Sequence, residues 1–193
     1  MVVALRYSAS VGSGSAGTGA AGTVTLTSSS LLLDGRSTPE SFTGISSDST
    51  ASASGNAGAV DVTADTITIL GGGHVSSTTA GTGAGGQVTL TGGTILIDGT
   101  GAPVGITDVA SRSLPGAAAN AGGVSVRGDS ITLRGAASIS TSTYNGGDAG
   151  QVLVSGNTIL VDGLNAPAGI TGTAAPRSVA VCASSSAFER LSS

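Results

Sequence analysis

The sequence predicts an all-β fold, a right-handed parallel β-helix of about five coils preceded by a partial N-terminal coil. Three observations predict it: a 64-residue internal repeat, period-two alternation of apolar and small polar residues, and glycine-rich segments recurring between the alternating stretches.

The repeat is explicit. GTVTLTSSSLLLDG from Gly22, GQVTLTGGTILIDG from Gly86 and GQVLVSGNTILVDG from Gly150 are each 64 residues apart, and AGAVDVTADTITILGGGHVSST from Ala57 returns at the same offset as AGGVSVRGDSITLRGAASISTS from Ala121. The unit divides into two similar halves of 36 and 28 residues, the longer one carrying a longer loop. Val3, Leu5 and Val11 precede Ile67, Ile69 and Val75 by the same interval, so the chain begins within a unit.

Each half holds three short alternating segments, each predicting a strand with one buried face. The first supplies Val24 and Leu26, Val60 and Val62, Val88 and Leu90, Val124 and Val126, Val152 and Val154. The second supplies Leu31 and Leu33, Ile67 and Ile69, Ile95 and Ile97, Ile131 and Leu133, Ile159 and Val161. The third places one apolar residue per half inside, read as Ile45, Val75, Ile106, Ile139 and Ile170. Such strands bury one face repeatedly only by stacking on their equivalents, so one half is one coil. At about 4.8 Å per coil the rod is roughly 25 Å long. Glycine-rich segments such as GSGSAGTGAAG fall at the corner leading to the next coil, and the Asp-Gly pairs at Asp34, Asp98 and Asp162 end the second strand of alternate coils.

Composition sets the character of the core and surface. Aromatic residues are only 2%, so the core is built from small aliphatic side chains. Charged residues are 9%, against roughly 25% in ordinary soluble proteins, and every basic residue is an arginine. A net charge of −4 with no basic stripe argues against a nucleic-acid partner. The opening MVVALRYSAS lacks the basic segment and long apolar core of a secretory signal, and no stretch approaches the ~20 apolar residues of a membrane-spanning helix. Cys182 permits no internal disulfide and reads as a free thiol. The repeat region is taken as 1–175. The tail 176–193, PRSVAVCASSSAFERLSS, departs from the pattern and reads as a cap or as the product of a frameshift or truncation.

The succession GNAG or GAGGQV, then V-x-V or V-x-L, then I-x-I or I-x-L with DG or GG, then GIS, GIT or SIST, resembles the repeats of filamentous-haemagglutinin-type exoproteins over roughly residues 3 to 172. That resemblance implies a secreted or cell-surface adhesin, carried across the outer membrane by a partner pore (two-partner secretion). Its expected roles are attachment to host or neighbouring-cell glycans or proteins, aggregation and biofilm formation. The family's N-terminal signal and transport domain have no counterpart in this sequence.

Candidate sites are few, and no catalytic residue, cofactor or metal is expected. The nearest approach to a metal site is the ladder Asp34, Asp98 and Asp162, which recurs every second coil and so at ~10 Å, too wide to share one ion. Asp65 and Asp129 form a shorter ladder of turn formers. His74, the sole histidine, has Ser10 and Ser138 as its equivalents and reads as a solvent-facing turn residue.

Two other functions are open to a β-helix of this kind. A polysaccharide-acting enzyme of pectin-lyase-like fold needs clustered carboxylates or a carboxylate beside a basic residue, whereas Glu40 and Glu189 are the only glutamates and lysine is absent. An ice- or surface-binding solenoid needs a uniform outward threonine row. The outward series read here, Ser46, Ser76, Thr107, Ser140, Thr171 and Leu32, Thr68, Leu96, Thr132, Leu160, are mixed. The leucines are expected to lie under the longer loops, and residues 35 to 44, 99 to 105 and 163 to 169 are the expected variable contact points. Open coil ends predict end-to-end self-association.

Overall fold

The computed structural model describes residues 1–38, 41–102, 107–135, 137–144 and 147–162. It is a parallel β-solenoid of about five turns, in which the described residues form long and short strands in alternation. The long strands are β1 (Val2–Arg6), β3 (Val24–Asp34), β5 (Val60–Leu70), β7 (Val88–Asp98), β9 (Val124–Arg134) and β11 (Val152–Asp162). The short ones are β2 (Ser10–Ser15), β4 (Thr43–Ser49), β6 (Gly73–Thr79), β8 (Thr107–Ser113) and β10 (Ala137–Thr143). Long strands pair in the order β1-β3-β5-β7-β9-β11 and short strands in the order β2-β4-β6-β8-β10, all in parallel.

The three strands expected per coil are two. The first and second alternating segments run together as one 11-residue strand. A bend replaces the expected loop. The ladder skips one residue at Ser29, Asp65, Gly93, Asp129 and Asn157, and the inward positions change parity there, from Val60 and Val62 before the bend to Ile67 and Ile69 after it. Val, Ile and Leu columns from both arms of the strand meet the column from the short strands in one continuous core. β-branched side chains stack well at the interstrand spacing, which makes so thin a core workable.

The short-strand column is Val11, Ile45, Val75, Val109 and Ile139. Val109, fully buried, holds the place assigned to Ile106, and Ala110 holds the outward place assigned to Thr107. Ile106 and Ile170 lie outside the described residues. Thr107 instead points inward and accepts a hydrogen bond from the Gly72 amide at 2.7 Å.

The polar inward positions of the short strands explain the glycine-rich corners. Ser47 Oγ donates to Gly22 O at 2.9 Å and accepts from Gly58 N at 3.0 Å; Ser77 Oγ donates to Gly58 O at 3.0 Å and accepts from Gly86 N at 2.8 Å; Ser111 does the same between Gly86 and Gly122. Each hydroxyl therefore ties one corner to the next. A side chain at Gly58 or Gly86 would collide with the carbonyl of the glycine one coil below, so the corner admits only glycine. Ser77→Ala would leave the half-buried Gly86 amide and the buried Gly58 carbonyl without that partner, and we expect a loss of about 1–3 kcal/mol in urea denaturation.

The two coil lengths also have a structural origin. Residues 71–72 connect β5 to β6, whereas residues 35–42 connect β3 to β4. The tight turn requires left-handed backbone at Gly71 (φ 31°) and Gly72 (φ 86°). One repeat earlier the same two positions are Tyr7 (φ 56°) and Ser8 (φ 64°). Side chains resist this conformation by roughly 1–2 kcal/mol per residue, so Ser8→Gly should raise stability by about 1 kcal/mol, read as an upward shift of the denaturation midpoint.

Candidate functional site

The ends of the long strands bring the aspartate ladder into one column, Arg6, Asp34, Leu70, Asp98, Arg134, Asp162. Leu70 and Arg134 separate the acids, as the two-coil interval requires. Asp34 Oδ2 pairs with Arg36 at 2.7 Å, and its Oδ1 accepts from the Arg36 amide at 3.2 Å. Asp98 Oδ2 pairs with Arg134 at 2.8 Å, and its Oδ1 accepts from the Thr100 amide at 2.9 Å. The Arg36 hydrogen bond, partly opposed by burial, lowers the pKa of Asp34. At Asp98 burial acts upward, but the bonds from Thr100 and Arg134 outweigh it and the net shift is downward. The chemistry of this ladder is turn formation and arginine pairing. Among the described residues no three His, Cys, Asp or Glu side chains come close enough to hold a metal ion.

A second cluster was not foreseen. His74 is not a solvent-facing turn residue: it lies within β6 on the outward face of the short-strand sheet, with its side chain 23% exposed. Its Nδ1 is 2.9 Å from Oδ1 of Asp108, directly across the ladder on β8. Asp108 is fully buried and also pairs with Arg112 on its own strand. To reach position 108, the Arg112 side chain must run over Ala110, which is fully buried although it faces outward. Phe42 stacks on the His74 ring at 5.5 Å and 10°.

The electrostatics follow from this packing. Burial first, and then the positive charge of Arg112, push the His74 pKa down from 6.5 to about 4. The neutral ring therefore donates its Nδ1 proton to Asp108, because a carboxylate only accepts. Asp48, two coils from Arg112 on the same outward row, has its pKa raised by burial, against hydrogen bonds from Ser46 and Thr78. Burial lowers the pKa of Arg112, while Tyr144 and Asp48 act in the opposite direction.

The longer loop that precedes β4 belongs to this cluster through Phe42. In the outward leucine column Leu32 and Leu96 are half-buried and Leu160 is 45% exposed. Parts of the other expected contact loops, residues 103–105 and 163–169, lie outside the described residues, as does the tail with Cys182.

Compared with known proteins, the chain matches no protein-family model, no curated protein and no solved structure.

Proposed function

We propose that this chain is a stretch of a secreted or cell-surface adhesin-like exoprotein of the filamentous-haemagglutinin type, serving as a stalk or extended binding surface in attachment or aggregation. The observation that carries the reading is the outer face of the long-strand sheet. There six strands in register present mostly uncharged polar residues, such as Thr27, Thr63 and Thr91 or Thr66, Thr94 and Thr158, in exposed rows. A repetitive face of this kind suits weak contacts distributed over many coils rather than one hot spot. The partners are glycans or proteins of a host or neighbouring cell. The parent protein leaves the cell through an outer-membrane pore and acts at the cell surface or beyond, and copies of the rod associate end to end.

The test is binding of the purified chain to arrays of glycans, matrix proteins and polysaccharide surfaces. Saturable binding to one ligand class is the expected result. A chain with intact β-structure by circular dichroism and no binding anywhere on the array would overturn the adhesive surface and leave a passive stalk.

A further inference from the structure

The outer face of β9 carries a groove that the turn and core chemistry do not use. Its floor is Gly123 and Ser125, its walls are Gln87 and Thr89 on β7's side and Gln151 and Leu153 on β11's side, and Arg127 closes one end; its volume is about 250 Å³. The groove exists because position 123 is glycine where the flanking coils have glutamine. A side chain there would meet Gln87 Oε1 at 2.6 Å. The two glutamines stand two coils, or about 9.6 Å, apart, and the Gln87 carboxamide reaches over Gly123 into the lane between them.

Two features mark this lane as a ligand site. Ser125 is only 7% exposed, lines the groove, and its hydroxyl has no hydrogen-bond partner, a costly arrangement for a buried polar atom. Arg127 is exposed and forms no ion pair among the described residues, whereas Arg36, Arg112 and Arg134 are each paired with an aspartate. Beyond Arg127 the lane continues into a shallower groove of about 350 Å³ lined by Thr91, Ser155, Asp129 and Asn157.

The ligand chemistry follows from the order of groups along the lane. Two carboxamides and hydroxyls supply donors and acceptors at spacings that suit a polyhydroxylated ring, and one guanidinium offers a fork for one carboxylate. Asp129 immediately after it, on a chain of net charge −4, disfavours a densely anionic polymer. We propose that this lane binds a linear polysaccharide containing uronic acid. One carboxylate sits on Arg127, the hydroxyls of its ring engage Ser125, Gln87 and Gln151, and the neighbouring sugar lies beside Asp129 and Asn157. The inference rests on the reading of the outer faces as binding surfaces and names one ligand class and one site on them.

The probe is an oligosaccharide in which glucuronate alternates with N-acetylglucosamine, so that the sugar beside Asp129 is neutral, titrated calorimetrically into the full chain beside its methyl ester and free glucuronate. Saturable binding of the acid oligomer is expected, with the ester and the Arg127→Gln variant each weaker by about 10- to 100-fold, the range of a lost charge-assisted hydrogen bond. Gly123→Gln, which fills the lane with the side chain the flanking coils carry, should abolish binding while leaving the circular dichroism spectrum unchanged. Equal binding of the monomer and the oligomer would reduce the site to a carboxylate contact and overturn the polysaccharide assignment. Absence of saturable binding, or full affinity in Arg127→Gln, overturns the site. Array binding that persists in Arg127→Gln would show the adhesive reading standing without this lane, and loss of all array binding by the unaltered chain would show that reading failing first.

Discussion

Asp108→Ala is expected to destabilise the rod by about 3–5 kcal/mol, the range for removing one partner of a buried ion pair. Asp108 is fully buried, and the same carboxylate accepts from His74 and forms an ion pair with Arg112. Its removal leaves the Arg112 guanidinium over Ala110 without its paired carboxylate, with only the more distant Asp48 as counter-charge. Because the penalty comes from an orphaned cation, removing the cation as well should recover most of it. The double variant Asp108→Ala, Arg112→Met is expected to lie within about 1–2 kcal/mol of the parent, since apolar replacement of a buried pair is often near neutral. Urea denaturation of the two single variants and the double variant completes the cycle. Additive losses would show that the pair is not coupled.

The second large effect is on pH dependence. A His74 pKa of about 4 in the folded chain, against 6.5 unfolded, means that the unfolded state binds the extra proton between those values. Stability contributed by the neutral ring is therefore present above pH 6.5 and is lost as pH falls from 6.5 towards 4. At 1.36 kcal/mol per unit the loss is at most about 3 kcal/mol, and the Asp108 carboxylate 2.9 Å from the ring, which favours the protonated form, reduces it. Asp48 acts in the opposite sense, because its raised pKa lets the folded state take up a proton before the unfolded one does as pH falls. The downward shifts at Asp34 and Asp98 act only below the usual carboxylate range. Denaturation midpoints between pH 7 and pH 4 should thus fall steeply for the parent and nearly flatten for His74→Ser, which installs the residue found at the equivalent positions 10 and 138. An unchanged slope in that variant would assign the pH dependence elsewhere.

How much of this was readable in the sequence depends on which period one follows. The 64-residue repeat locates the coils, the inward columns of the long strands and the aspartate ladder, because those positions recur within the same kind of half. Neighbours across coils follow different intervals: 28 and 36 in the long-strand sheet, but 34 and 30 in the short-strand sheet. His74 therefore faces Asp108, a pairing that comparison of equivalent residues 64 apart does not bring to notice. For the short-strand column the 64-residue interval does suffice. Adding 64 to Ile45 gives Val109, so the signal was present in the repeat itself. The merging of two strands into one was not legible in this way, because a bend at Ser29, Asp65 or Gly93 and a short polar loop have the same small-residue signature. The groove along β9 depends on glycine at position 123 standing between Gln87 and Gln151 of the flanking coils, and Gly123 reads in isolation as one more corner glycine.

The alternation of coil lengths has a mechanical consequence. Hydrogen bonds between coils run along the rod, so tension applied through the chain ends peels the terminal coil and loads its bonds a few at a time. A solenoid under tension would then lengthen in discrete steps, one per coil. Coils of 28 and 36 residues release about 95 and about 120 Å of extended chain in turn. An anchored rod of this design would act as an extensible tether, lengthening in alternating short and long increments and taking up load before whatever holds its tip gives way.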